Sequence, residues 1–433
     1  MKAELFNKMS CKLVISSLSE QQLQKLSEDL QVSQQPSKYA FNARPNIICL
    51  YEAEGDDLYI PFAYGKKFSR PPRENFSEQN VEFIGQLRDN QKEVKKEAIE
   101  RLNSCGSVII AAACGFGKTS TAIYIATKIR LKTLILCHRV VLVNQWRDSI
   151  KKFCREATVQ VLSGSSKLED VNFYIMNAVN VPKHSRSFYK DMGMVITDEM
   201  HLIMADKISQ CMRYLTPRYM LGLSATPYRT DGLDILIDMY FGKHKIVRKL
   251  FRKHTVYRYN TGFKPEVKIN KMGKVDWSSV LESQCGNTER NETIVKLVKF
   301  FPERTFLILC KRVEQAKYIE QRLTEEKEDV TSLIGSKQEF EEASRILVGT
   351  VQKTGVGFDH PRLNTLILAS DVEQYFVQYL GRVFRREDTE PVIIDLVDNY
   401  SLLYKHFQTR NSVYIEHGGI VKDFHKEFPT FSA

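Results

Sequence analysis

Residues 107–119 read Ser-Val-Ile-Ile-Ala-Ala-Ala-Cys-Gly-Phe-Gly-Lys-Thr. Ser107 to Ala113 is a short apolar run and reads as a buried strand. Ser120 to Ile129 reads as a helix. Strand, glycine turn, Lys-Thr and helix together make a phosphate cradle. Gly115 and Gly117, on either side of Phe116, let backbone N–H groups approach phosphate oxygens with no Cβ in the way. The helix N-terminus, with Ser120 in its first turn, adds partial positive charge. Lys118 reaches β- and γ-phosphates, and the Thr119 hydroxyl is a ligand for Mg²⁺. The pattern G-x-x-x-x-G-K-[ST] asks for Gly where this chain has Ala112. Taken alone, the loop is also compatible with a plain glycine-rich turn carrying a surface lysine.

Working outward, the 433 residues give room for two or three domains. With 43% apolar and 27% charged residues the composition is that of a soluble globular chain. No apolar stretch is long enough for a membrane span, and Met1 to Ser10 lacks the pattern of a secretory signal. The nine cysteines are scattered with no C-x-x-C pair, which predicts reduced thiols inside the cell and neither a disulfide frame nor a zinc site. A net charge of +11 suits a polyanionic partner such as nucleic acid.

The expected fold is α/β: two parallel-sheet lobes in tandem, with a small N-terminal accessory domain over 1–80. Strand-like runs alternate with amphipathic segments over 81–243, the ATP-binding lobe. The basic, Tyr-rich stretch 244–275 reads as a connector. A second alternating block over 276–433 makes the second lobe and ends in a C-terminal tail.

The run Met194-Val-Ile-Thr-Asp-Glu-Met-His201 is a buried strand ending in two carboxylates. Ligands of open α/β sheets sit at the carboxyl ends of strands, so Asp198 and Glu199 face the phosphate site. Asp198 is expected to hold Mg²⁺, and Glu199 to orient or deprotonate the attacking water. His201 is placed to couple the site to the neighbouring domain.

With these residues in view, the chain resembles the superfamily 2 helicases. Asp-Glu-Met-His looks like their Asp-Glu-Ala-His box, and Ala-x-x-Gly-x-Gly-Lys-Thr is that family's usual cradle. Ser224-Ala225-Thr226 matches the coupling motif of the first lobe. Leu87-Arg88-Asp89-Asn90-Gln91 is similar to the element whose Gln recognises adenine. Gly349-Thr350 followed by Gly355-Val-Gly357-Phe-Asp359 resembles motif V. Gln378-Tyr-Leu-Gly-Arg382-Val-Phe-Arg385 fits motif VI at each fixed position. Leu142-Val-Asn-Gln-Trp146 points to the XPB/UvsW branch, although His138-Arg139 stands where Pro-Thr is usual.

The resemblance implies that the two lobes are RecA-like and that the chain is an ATPase that moves along nucleic acid, with ATP and Mg²⁺ as cofactors. Arg382 and Arg385, three apart, would project from one helical face toward the γ-phosphate, with Gln378 one turn earlier as a nucleotide sensor. Phosphate-backbone contacts are expected from Arg139, Asn144, Ser163, Gly164, Asn177, Arg312 and Thr350. The connector residues Lys243, Lys245, Arg248, Arg252, Tyr257, Arg258 and Tyr259 are further candidates. DNA is the favoured track, in transcription, recombination or repair, with transcription or replication machinery as partners and no membrane. An RNA-directed helicase and a non-motor scaffold with a helicase fold remain as alternatives. The expected location is intracellular: cytoplasmic or virion-associated for a viral chain, nuclear otherwise.

Overall fold

The computed structural model describes residues 12–34, 46–65, 70–113, 115–204, 209–225, 234–271, 273–337, 339–354, 360–372, 376–386 and 388–431. The chain divides into two compact units, Met1–Arg248 and Lys249–Ala433.

The first unit opens with short strands: β1 (Lys12–Val14), β2 (Gln31–Gln34), β3 (Asn46–Cys49), β4 (Glu52–Glu54) and β5 (Asp57–Tyr59). They pair antiparallel as β1-β5-β4 and β2-β3. The helix Glu20–Asp29 between them is started by a capping box. The Ser19 hydroxyl accepts from the Gln22 amide, and the Gln22 side chain accepts from the Ser19 amide. Seven further strands build one sheet: β6 (Ser107–Ala112), β7 (Thr133–Cys137), β8 (Val159–Leu162), β9 (Phe173–Asn177), β10 (Met194–Thr197), β11 (Tyr219–Ser224) and β12 (Lys245–Arg248). All pair parallel, in the order β12-β6-β11-β10-β7-β9-β8. Every residue of β6, β7, β10 and β11 is buried, as expected for strands covered by helices on both faces.

Among the described residues, the N-terminal strands share their core with the large sheet. Leu13, Leu30 and Phe62 share one apolar cluster with Ile109, Met220 and Phe241 of the large sheet and its helices. Polar contacts fasten the same face. The Arg186 guanidinium lies 3.8 Å from the Tyr59 ring centre and pairs with Glu52 and Glu54 at 2.9 and 2.5 Å.

The second unit carries β13 (His254–Asn260), the small β14 (Lys268–Ile269) and β15 (Val275–Asp276) pair, then β16 (Phe306–Cys310), β17 (Val330–Leu333), β18 (Ile346–Thr350), β19 (Thr365–Leu368), β20 (Val392–Val397) and β21 (Gly419–Asp423). Its sheet is again seven-stranded and parallel, ordered β17-β18-β16-β19-β20-β13-β21.

The stretch expected to be a connector therefore supplies a strand to each sheet. Several of its charges are paired within their own units. Arg258 binds Asp423 at 2.6 Å, and Arg248 lies 3.7 Å from Glu97. Lys245 lies 3.9 Å from Asp238, while the Tyr257 ring meets Phe424 edge-on and the Tyr259 ring packs on it at a tilt. The expected tail likewise contains β21, at the edge of the second sheet.

A buried ionic network fixes the second unit. The Arg410 guanidinium grips both oxygens of Asp395 at 2.8 Å and reaches Asp371 at 2.8 Å. The Tyr414 hydroxyl donates to Asp395, and His406 meets Asp371 at 2.7 Å. Arg410→Met would leave two buried carboxylates short of their cation, which costs ~3–5 kcal/mol. Chemical denaturation followed by far-UV circular dichroism should show that loss; a change below ~1 kcal/mol would contradict this role.

Candidate functional site

The turn after β6 is held from outside by two side chains. Arg88 donates to the carbonyls of Gly115 (3.0 Å) and Phe116 (2.7 Å). The Gln91 amide nitrogen donates to Phe116 O (3.1 Å), Gly117 O (3.2 Å) and the Ser120 hydroxyl (3.2 Å), while its oxygen accepts from the Arg88 amide. Gln91 is thus buried with its amide nitrogen on the loop and its oxygen on the Arg88 backbone, where the resemblance implied a contact to adenine. Ser120 is likewise used locally, donating to Gly117 O. Lys118 folds back and donates to the Ala112 carbonyl at 2.8 Å. Gly115 and Gly117 have φ of +84° and +89°. A Cβ on Gly117 would lie 2.2 Å from the Gln91 nitrogen. The helix Lys118–Ile129 starts here, so its first N–H groups have no partner within the helix. Thr119 sits in that first turn. Cys114 lies outside the described residues.

Asp198 and Glu199 follow β10. The Trp146 indole N–H donates to Asp198 Oδ2 at 2.8 Å, and the Glu199 amide donates to Oδ1 at 3.0 Å. Burial and the neighbouring Glu199 charge push the Asp198 carboxyl up to about 6, against the pull of Trp146 and Lys118. Glu199 is in the left-handed region, φ +45°, a conformation that costs a residue with a Cβ ~1–3 kcal/mol. Its Oε2 is buried and makes no hydrogen bond among the described residues. His201 Nδ1 lies 2.8 Å from the Ser224 hydroxyl and 3.5 Å from Glu199 Oε2. The carboxylate, the histidine and the serine expected to couple are therefore in one chain of contacts. Thr226 lies outside the described residues.

Strand order ranks these groups along one carboxyl edge. The phosphate loop follows β6, Ser224 ends β11, Asp198 and Glu199 follow β10, and Arg139 follows β7, with β9 and β8 beyond. Neighbouring strands are ~4.8 Å apart, so the acidic pair lies about two spacings, ~10 Å, from the loop strand. Of the residues expected to touch nucleic acid, Arg139 and Asn144 follow β7, Ser163 and Gly164 follow β8, and Asn177 ends β9, on the far part of that edge. Arg139 and Asn144 are exposed. Asn177 caps the turn Ala178–Lys183 by accepting from the Val179 amide. The Ser163 carbonyl meets His184 at 2.8 Å, and Lys183 packs over Gly164.

In the second unit, Gln378 and Arg382 are buried on the helix Phe376–Val383. Arg385 lies past the end of that helix, so the expectation of two arginines on one helical face is corrected: only Arg382 is helical. Arg312 starts the helix Val313–Glu325 and donates to the Ser278 hydroxyl at 2.6 Å. Thr350 ends β18 and is buried, and its carbonyl accepts from Thr354. Gly357 and Asp359 lie outside the described residues. Arg88 and Trp146 were missed as site residues, although both stand inside quoted motif runs; their roles depend on the side-chain direction a fold imposes.

Gly117→Ala should distort the cradle, which binding must then restore at ~1–3 kcal/mol. Titration calorimetry with ADP should find ~10–100-fold weaker binding, while Gly286→Ala, at an open position, leaves it unchanged. Unchanged affinity in Gly117→Ala would contradict the cradle.

Residues 84–229 match the family described as "Type III restriction enzyme, res subunit". The chain is 45% identical to the protein named helicase 161L of Invertebrate iridescent virus 6, over 96% of this chain and 100% of that one. It is 21% identical to the DNA 3'-5' translocase XPB2 of Sulfurisphaera tokodaii, over 74% of this chain and 83% of the relative. Among solved structures it is similar to Dbp5 of S. cerevisiae bound to RNA and ADP BeF3, with a TM-score of 0.57 at 13% identity, covering 78% of this chain and 91% of that chain. That likeness shows the fold: two RecA-like lobes in tandem. With its motifs, its two parallel sheets and a relative alike over its whole length, the chain belongs to the superfamily 2 helicases.

Proposed function

We propose that the protein hydrolyses ATP and uses the energy to move along nucleic acid, with DNA preferred over RNA. The observation that carries this reading is the single carboxyl edge holding the phosphate loop, the Asp198–Glu199 pair and the His201–Ser224 contact. Lys118 supplies mobile charge to the phosphates, and it needs only to leave the Ala112 carbonyl to do so. Mg²⁺ suits the site because two adjacent buried carboxylates, one pushed up by burial, are short of positive charge. Asp198 and Thr119 would hold the ion, which neutralises charge between the β- and γ-phosphates. Glu199 Oε2, buried and without a hydrogen-bond partner among the described residues, is the group we assign to orient and deprotonate the attacking water. Arg382 and Arg385 are assigned to stabilise charge on the transferring phosphate, with Gln378 sensing the nucleotide, and removing one such arginine costs ~10³–10⁵ in rate. His201 and Ser224 carry the change toward Arg139, Asn144, Ser163, Gly164 and Asn177, which hold the strand with Arg312 and Thr350.

The DNA preference is supported by the sequence likeness to an XPB2 translocase. The viral relative supports action inside an infected cell or a virion, beside transcription or replication machinery. Among the described residues no helix is long and apolar enough to cross a membrane.

Glu199→Gln tests the reading. It should bind ATP and hold single-stranded DNA at least as tightly as the parent with ATP present, while turnover falls ~10²–10⁴-fold. Retained turnover, or loss of ATP binding, would overturn the assignment.

A further inference from the structure

Arg385 lies beyond its helix, so its place depends on the irregular backbone from Phe384 onward. One side chain holds that backbone. The Arg252 guanidinium donates to the Phe384 carbonyl at 2.8 Å, to the Arg386 carbonyl, and to the Thr389 carbonyl at 2.9 Å. The carbonyls of Phe384 and Arg386, the residues that flank Arg385, are therefore held by one planar fork, a task that suits a guanidinium and not an ammonium.

Arg252 is itself set firmly. Its amide donates to the His417 carbonyl at 2.9 Å, and its own carbonyl meets His254 Nδ1 at 2.7 Å. A Cβ on Gly418, at φ +91°, would come within 2.8 Å of that carbonyl. The His254 ring packs on the Phe384 ring, centres 4.6 Å apart.

Its position in the chain adds a second observation. Arg252 lies four residues after Arg248, the last residue of the first unit. In that unit Arg248 stands opposite Ala112, just ahead of the phosphate loop. One short covalent stretch thus begins beside the loop strand and ends in the clamp on the Arg385 backbone.

We propose that Arg252 is a positioning residue for Arg385, holding its backbone in the conformation the ATPase reaction requires. The inference rests on the proposed role of Arg385. A misplacement of ~1 Å at a reacting centre can cost ~10²-fold in rate. Arg252→Ala should therefore lower kcat for ATP ~10–100-fold, with KM and nucleotide-free affinity for single-stranded DNA changed by less than ~3-fold.

A double-mutant cycle decides the matter. If Arg252 acts through Arg385, then Arg252→Ala adds less than a ~2-fold loss in the Arg385→Ala background. A merely structural role would multiply the losses. Should Arg252→Ala melt below the assay temperature, Arg252→Lys, which keeps the charge and loses the fork, takes its place in the same cycle. Multiplying losses, or full turnover in the Arg252 variant, would overturn the inference. Full turnover in Arg385→Ala alone would instead overturn the assignment on which it rests.

Discussion

Every described carbonyl from Ala112 to Gly117 already has a donor. Lys118 takes Ala112, Arg88 takes Gly115 and Phe116, and Gln91 shares Phe116 and Gly117. Because the peptide unit is planar, fixing the carbonyls fixes the opposing N–H groups. That constraint reaches far. It needs φ above +80° at two glycines, and it needs the start of the helix Asp89–Cys105 beside the turn. It also needs β6 buried between β12 and β11, so that the turn leaves the sheet at a fixed point.

Beside the turn lies an electrostatic imbalance. Asp198 is buried, gripped by Trp146, and raised by its neighbour Glu199. Glu199 is held at an unfavourable φ, and one of its oxygens makes no hydrogen bond among the described residues. A fold keeps strain of this kind where the surrounding packing over-determines it. Here the neighbours are His201 and Ser224, which join the carboxylate to the end of β11.

The β6, β7, β10 and β11 strands were legible because each is a continuous apolar run with a turn after it. β13 and β21 were not. In β13, His254, Arg258 and two tyrosines hid the strand pattern, and its charge is matched by Asp423, 165 residues away. The acidic pair and the lysine were legible from residue type and spacing. Arg88, Trp146 and Arg252 were not, because each acts on a backbone or side chain that only the fold brings near. The two motif VI arginines were read as one helical face from their spacing of three, but the helix stops at Val383. Spacing gives a shared face only while the helix lasts.

The most direct test of the account is steady-state ATP turnover measured alone and with single-stranded DNA, duplex DNA and RNA at equal nucleotide concentration. The account predicts low turnover alone, clear stimulation by nucleic acid, and greater stimulation by DNA than by RNA. Turnover that is the same with and without every nucleic acid would contradict it.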